Sequence, residues 1–264
     1  MPAAMQKATF MKLVGGDESG EWKEAGLLPL EASRAMVNAF AYVGKAGFGM
    51  VIGAEGSGKT TAARFYAEHR GAAYIEARPA ELETPFQMLT RIGTELGVNG
   101  PTRIRLARAI AEKLRDSRKL LIVDQADELP LPILKVLWWI HDPHPQEGIE
   151  GTAAVCLLGM PVLDERVRRN RNIARRIRYV YRVPAMPNEE LAQMMPGAEE
   201  TTVRAVSSWS ENLPGWAFLA LDNVTDAMEQ NGWSWADMGE RVQKRGRGTR
   251  MRVEWQLETL AKVA

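Results

Sequence analysis

The sequence predicts an α/β protein with a parallel sheet, followed by a small, all-helical C-terminal part. Two observations predict this fold class. Short apolar runs alternate with amphipathic segments from about residue 31 to residue 183, which is typical of parallel strands covered by helices on both faces. After Pro184 the apolar runs stop, and helical segments separated by Pro-Gly and Asn-Gly pairs follow.

The elements follow from periodicity, capping residues and glycine stops. Thr84-Pro85-Phe86-Gln87 has a capping residue, a proline at the first helical position and a glutamine three residues after the cap, so it begins a helix that Gly97 ends. In the helix over 102–115, we expect Ile104, Ala107, Ile110 and Leu114 to share the buried face. The remaining predicted elements are helices over 31–44, 59–69, 131–141, 188–195, 199–212, 216–230, 234–244 and 251–263, strands over 49–53, 72–78, 120–123, 153–158 and 179–183, and an arginine-rich helix before the last strand.

Four regions are predicted along the chain. Residues 1–22 are weakly patterned and form a flexible N-terminal segment, residues 23–185 form the α/β core, residues 186–244 form a helical lid, and residues 245–264 form a basic tail or helix.

Composition and charge narrow the class of protein. The 264 residues are 45% hydrophobic and 25% charged, which is ordinary for a protein with a buried core. No run approaches the roughly 18 apolar residues of a membrane span, and the N-terminus has no basic region followed by an apolar core. We therefore expect a cytoplasmic protein with no membrane partner, and a buried strand position for the single cysteine, Cys156.

Basic residues are clustered although the net charge is only +1. Eight arginines lie between Arg166 and Arg182 with no acid among them, and six basic residues lie between Arg241 and Arg252. Such clusters favour an anionic partner, and a solvated helix face is the alternative.

Residues 53–61 read Gly-Ala-Glu-Gly-Ser-Gly-Lys-Thr-Thr between a predicted strand and a predicted helix. The glycines permit tight turns whose backbone N–H groups face phosphates, Lys59 reaches the terminal phosphates, and the Thr60 hydroxyl binds Mg²⁺. The segment therefore predicts bound ATP and Mg²⁺. The predicted binding residues are Gly53, Glu55, Gly56, Ser57, Gly58, Lys59, Thr60 and Thr61.

The second half of the site is the apolar run Leu120–Val123 that ends in Asp124, which we expect to hold Mg²⁺. Hydrolysis needs a carboxylate at the next position, where this chain has Gln125, an amide that positions water without accepting its proton. Either an acid was replaced by its amide isostere, or hydrolysis is naturally slow and ATP acts as an assembly signal. Asp127 and Glu128 are nearby carboxylates that serve as a displaced base or cap the next turn.

These motifs together resemble the AAA+ ATPases, over about residues 27–230. The resemblance rests on residues 53–61, the segment Asp124-Gln-Ala-Asp-Glu-Leu129, the strand ending at Leu157–Leu163, and Ala174-Arg-Arg-Ile177. Within that family the chain looks like the transposition regulators of the phage Mu B protein and TnsC type. Secretion ATPases and replication-origin proteins share the same motifs.

The resemblance implies rings or helical filaments in which ATP lies between copies of the chain. It also implies an arginine finger that contacts the neighbour's γ-phosphate, with Arg176 as first choice and Arg175 as second. The usual polar sensor residue is missing at Gly159-Met160, and the lid segment 214–218 has no arginine, so hydrolysis should be slow.

Double-stranded DNA is the partner that the resemblance implies, and the implied phosphate contacts come from the helices between the second and third strands. Those residues are Thr84, Arg103, Arg105 and Arg108, and solvation of a helix face is the alternative for the arginines. The predicted function is an ATP-dependent assembly on DNA that selects a target and recruits or stimulates a transposase. The alternatives are a replication-initiation or helicase-loading ATPase, and a secretion or signalling ATPase that binds no DNA.

Overall fold

The computed structural model describes residues 30–78, 84–232, 234, 242–244 and 255–257. These residues group into two compact units. The larger unit contains residues 33–55 and 59–183, and the smaller unit contains residues 30–32, 56–58 and the described residues from 184 onward.

The larger unit is built on a five-stranded sheet whose strands are all parallel to their neighbours. The strands are β1 (Phe48–Ile52), β2 (Ala73–Glu76), β3 (Leu120–Asp124), β4 (Ala154–Gly159) and β5 (Tyr179–Arg182). Their spatial order is β2-β3-β4-β1-β5, so the strand that precedes the phosphate loop lies between β4 and β5. The predicted α/β fold class is confirmed.

Helices surround this sheet and supply two apolar layers. The helices are α1 (Glu31–Ala46), α2 (Lys59–Arg70), α3 (Pro85–Leu96), α4 (Arg103–Ser117), α5 (Leu131–His141), α6 (Val162–Arg169) and α7 (Arg171–Ala174). Alternate strand residues face opposite layers. Met50 and Val123 pack in the layer with α3, α4 and α5, whereas Val51 and Ile122 pack in the layer with α1 and α2.

Cys156 is fully buried on β4, in the layer that α1 and α2 cover. Burial raises the pKa of its thiol, and the negative charge of Asp124 raises it further. The thiol is therefore a packed apolar group, as the sequence predicts.

Local signals predicted the third helix accurately. The Thr84 side chain accepts a hydrogen bond from Gln87 N, the Gln87 side chain accepts one from Thr84 N at 2.7 Å, and Gly97 ends the helix at φ 69°. The predicted buried face of α4 was partly wrong, because Ile104 is 64% exposed and Leu106 is buried instead. Ile104 lies in the first turn of α4, where Leu106 is the residue that packs in the core.

The smaller unit contains α8 (Asn188–Gln193), α9 (Glu200–Ser210) and α10 (Pro214–Asn231). Their core includes Met194, Val206, Trp209 and Leu221. The described parts of the two last predicted helices are instead strands, because β6 (Val242–Lys244) pairs antiparallel with β7 (Trp255–Leu257). Each strand has only three residues, so their pairing leaves little periodic signal in the sequence.

The predicted N-terminal segment 1–22 and most of the predicted tail 245–264 lie outside the described residues. Within the described part of the chain, no helix is both long and apolar enough to span a bilayer.

Candidate nucleotide site

The phosphate loop connects β1 to α2. Gly56 and Gly58 have φ values of +76° and +83°, in the left-handed region where a side chain would be strained. Ser57 between them is buried, and Glu55 and Thr61 at the ends of the loop are exposed. The glycines are therefore required by the backbone path of the loop.

Lys59 is the first residue of α2, and its ammonium group lies over the loop. Its Nζ donates to the carbonyl oxygens of Gly53 and Ala54, both at 2.8 Å. Burial lowers the pKa of Lys59, and the negative charges of Asp124 and Asp127 oppose that shift. A phosphate group at this position would offset the desolvation of the ammonium group.

Asp124 ends β3 and is 2% exposed. Its carboxylate accepts hydrogen bonds from Thr60 Oγ1 at 2.6 Å, from Tyr74 Oη at 2.9 Å and from Gln125 N at 2.8 Å. Burial raises the pKa of the Tyr74 phenol, as does the charge of Asp124, so the phenol keeps its proton and donates it.

Thr60 and Asp124 together fit a magnesium ion. A hydroxyl and a carboxylate oxygen 2.6 Å apart are ligands of the hard oxygen type that Mg²⁺ prefers. Among the described residues no group of three or more His, Cys, Asp and Glu side chains could hold a metal. Such a pair suits an ion that also binds phosphates and water, and the ion would neutralise phosphate charge there.

Gln125 follows Asp124 and adopts a left-handed conformation, with φ 54° and ψ 34°. Its Nε2 donates to Oε1 of Glu76 at 2.9 Å. Glu76 ends β2, and its Cα pairs in register with that of Asp124. Glu76 was not among the residues predicted from the sequence, although it is an acid at the end of a predicted strand and the carboxyl ends of adjacent parallel strands lie at the same sheet edge.

Asp127 fills the space beside Gly159, where the sequence showed no polar side chain. Its Oδ1 accepts a hydrogen bond from Met160 N at 3.0 Å, and a Cβ at Gly159 would overlap that same oxygen. Arg166 donates to the carbonyl oxygens of Asp127 and Leu129, which fixes the turn that carries Asp127. A carboxylate thus occupies the end of β4 without any polar residue in that strand.

The two candidate finger arginines differ in their surroundings. Arg176 pairs with Asp142 at 2.6 Å, its guanidinium lies 4.4 Å from the centre of the Trp138 ring, and its side chain is 26% exposed. Arg175 is exposed, and its Nη2 donates to Asn172 Oδ1 at 3.2 Å. The first choice from the sequence is therefore engaged within its own chain, and the second is the more accessible.

The four candidate DNA residues differ in structural role and in exposure. Thr84 caps α3, whereas Arg103 and Arg105 are exposed in the first turn of α4, which Thr102 caps. Arg108 is half-buried one turn further along α4.

Comparisons with known proteins show what this chain resembles. Residues 43–167 match the family model described as the AAA domain. Over that stretch the parallel sheet and the phosphate loop are similar to those of AAA domains.

The particular relatives within that class are transposition proteins. A stretch of 89 residues is 34% identical to the Mu-like prophage FluMu DNA transposition protein B of Haemophilus influenzae, and covers 33% of this chain and 31% of that protein. A stretch of 90 residues is 32% identical to the ATP-dependent target DNA activator B of Escherichia phage Mu, and covers 33% and 29%. The matched stretch therefore spans about a third of these curated relatives. The predicted resemblance to AAA+ transposition regulators is confirmed.

Solved structures agree on the fold. Cdc6p from Pyrobaculum aerophilum aligns with a TM-score of 0.55 at 15% identity, over 83% of this chain and 65% of that one. The Thermotoga maritima RuvB Holliday junction branch migration motor aligns with a TM-score of 0.52 at 14% identity, over 78% and 65%. At these identities the likeness shows the fold alone.

Proposed function

We propose that this protein binds ATP and Mg²⁺, assembles on double-stranded DNA as a ring or helical filament, selects a target there, and recruits or stimulates a transposase. One observation carries the proposal. The stretch that matches the AAA domain contains Lys59, Thr60 and Asp124. The same chain is 32–34% identical, over about 90 residues, to proteins named for DNA transposition and target DNA activation. The proposal includes a cytoplasmic location.

Each part of the loop has a proposed role in binding ATP. The backbone N–H groups of residues 53–58 face the phosphates, Lys59 neutralises the terminal phosphates, and Thr60 and Asp124 hold Mg²⁺. Glu55, Ser57 and Thr61 line the same loop. We expect slow hydrolysis, since the position after Asp124 carries an amide and a carboxylate that accepts the proton of water has to come from another element.

Arg175 is the proposed finger that one copy of the chain extends toward ATP bound by the next. It is exposed and it donates to the neutral side chain of Asn172, a hydrogen bond that costs little to release. Arg176 would first have to leave a partly buried carboxylate and an aromatic face. We therefore reverse the order of the two arginines.

The first turn of α4 is the proposed DNA contact. Arg103 and Arg105 are exposed beside a helix N-terminus, where both the side chains and the helix dipole favour phosphate. Thr84 and Arg108 are secondary candidates, because the Thr84 hydroxyl already caps α3 and Arg108 is half-buried and interacts with other groups of the chain.

The DNA contact is tested by salt dependence. Replacing Arg103 and Arg105 by alanine should make the slope of log K against log salt shallower, by about 0.9 for each phosphate that the protein no longer neutralises. Lys113→Ala combined with Lys119→Ala is the matched control, because it removes the same charge from two exposed positions, one in the last turns of α4 and one just after it. Equal slopes for both pairs would remove α4 from the DNA interface.

The whole proposal is tested by electron microscopy with ATP, with and without duplex DNA. We expect assemblies that need both ATP and DNA, and Lys59→Ala protein should form none. Rings that form equally well with and without DNA would favour a secretion or signalling ATPase. Assembly restricted to particular DNA sequences would favour a replication-initiation or helicase-loading factor. Unchanged nucleotide affinity in Lys59→Ala protein would contradict the nucleotide site itself.

A further inference from the structure

We propose that Glu76 supplies the carboxylate that β3 lacks, so that Glu76 and Gln125 together form the group that activates water for ATP hydrolysis. The inference rests on the proposed ATPase function and assigns a catalytic role to a residue on a different strand from the usual one. It is carried by the hydrogen bond from Gln125 Nε2 to Glu76 Oε1 at 2.9 Å.

The geometry of the sheet makes this pairing specific. β2 and β3 are adjacent and parallel, and Glu76 is in register with Asp124, the proposed magnesium ligand. The left-handed backbone at Gln125 follows immediately, and the Gln125 N–H donates to Asp124 Oδ1 at 2.8 Å. A left-handed backbone is uncommon for a non-glycine residue and costs free energy. Here the strained residue is the one whose side-chain amide contacts the Glu76 carboxylate.

The hydrogen bond also fixes the orientation of the Gln125 amide. A carboxylate accepts hydrogen bonds and has no proton to donate, so the amide nitrogen must face Glu76. The amide oxygen then points away from Glu76 and is available to accept a hydrogen bond from water. Gln125 thus positions the water that it is unable to deprotonate.

The Arg64 guanidinium holds the Glu76 carboxylate in place and also lies near a phenol ring. Arg64 Nη2 donates to Glu76 Oε2 at 3.0 Å, and the same guanidinium lies 5.6 Å from the centre of the Tyr74 ring. Tyr74 in turn donates to Asp124. Side chains from α2, from β2 and from the end of β3 therefore form one connected network that joins the proposed base to the proposed magnesium ligand.

The chemistry balances without any further reactant. The oxygen of the water forms a bond to the γ-phosphorus, the bond from that phosphorus to the bridging oxygen breaks, and its electron pair leaves with ADP. The proton of the water passes to the Glu76 carboxylate and then to solvent. Each carboxylate oxygen has two acceptor sites, so Glu76 can accept this proton while still bonded to Gln125 and Arg64.

The experiment measures kcat for ATP and the Kd for a fluorescent ATP analogue, with and without duplex DNA. We expect Glu76→Gln to lower kcat by about 100-fold or more with little change in Kd, because a general base contributes about 10²–10⁴-fold. The double variant Glu76→Gln with Gln125→Glu exchanges acid and amide across the two strands. It should recover at least about tenfold of the lost rate, which a merely structural role of Glu76 would not produce.

Two control variants test whether the carboxylate comes from Asp127, or whether an acid belongs at position 125, instead of from Glu76. Asp127→Asn, which removes the other candidate acid, should lower kcat much less than Glu76→Gln does, and Gln125→Glu alone should lower kcat, because it replaces the hydrogen bond to Glu76 by two adjacent carboxylates.

The outcomes distinguish the inference from the function on which it rests. Parent-like kcat in Glu76→Gln protein, a double variant no better than Glu76→Gln, or a large gain in Gln125→Glu protein would each overturn the role of Glu76. A parent protein that binds the analogue without hydrolysing ATP would overturn it too, and would leave nucleotide binding intact. A parent that binds no nucleotide would overturn the proposed function and the inference together.

Discussion

The close approach of Gly159 to Asp127 allows the effect of a single methyl group to be estimated. In Gly159→Ala protein the new Cβ would overlap Asp127 Oδ1 and lie 3.0 Å from Leu163 Cδ2. The carboxylate would have to move, and it would lose its hydrogen bond from Met160 N. Neither neighbour can move away easily, because Leu163 is fully buried and Arg166 fixes the turn at Asp127.

The magnitude follows from three effects. Overpacking costs about 1–3 kcal/mol, a lost hydrogen bond to a charged group costs about 1.5–3 kcal/mol, and replacing glycine within a strand returns about 0.5–1 kcal/mol. We therefore expect Gly159→Ala to lower the free energy of unfolding by about 2–5 kcal/mol. In an Asp127→Ala background the same substitution should cost less than about 1 kcal/mol, because the overlapping oxygen is gone.

The assay is denaturant unfolding followed by tryptophan fluorescence, with a second glycine as control. Gly44 lies in α1, and a Cβ added there would have nothing within 4 Å, so Gly44→Ala should stabilise the protein by about 0.5–1 kcal/mol. The reasoning is refuted if Gly159→Ala unfolds at the same denaturant concentration as the parent, or if it costs as much with Asp127 absent as with Asp127 present.

Three further predictions concern capping and pH. Thr84→Ala should cost about 1 kcal/mol of stability and Thr84→Ser almost none, because only the hydroxyl cap matters; equal losses in thermal melts would contradict this. Burial alone would raise the pKa of Asp142, yet the hydrogen bonds from Arg176 and Trp138 leave that pKa below its usual value. Stability from this group is present above about pH 4 and is lost on further acidification, so Asp142→Asn should be less stable at neutral pH and show a shallower acid loss in unfolding titrations. Burial lowers the pKa of His141, so stability should fall as pH drops below about 6.5, and His141→Gln should lack that dependence between about pH 5 and 7.

Local chemistry explains which parts of the fold were predictable. The helix that Thr84 and Gln87 begin, and the loop with Lys59 and Thr60, depend on residues only a few positions apart, so the chain itself specifies them. The strands were recognisable because parallel strands buried on both faces are continuous apolar runs.

The rest depended on interactions between residues far apart in the chain. Glu76 meets Gln125 only because β2 and β3 are neighbours, and Arg176 meets Asp142 across 34 positions. The pairing of β6 with β7 likewise joins two three-residue segments that are too short to show a period in the sequence. The residues predicted to bind nucleotide could accordingly be chosen from the sequence, whereas the side chains that contact them in the fold could not.

Because Cys156 is buried, the reaction rate of its thiol reports how often the central sheet opens to solvent. The chain has a single cysteine, and that residue lies on β4 between two other strands of the sheet. A thiol reagent can label it only when the centre of the sheet becomes accessible, so the labelling rate measures that rare event directly. Nucleotide that holds β1 and β3 together should slow the labelling, without any dye or tag being introduced.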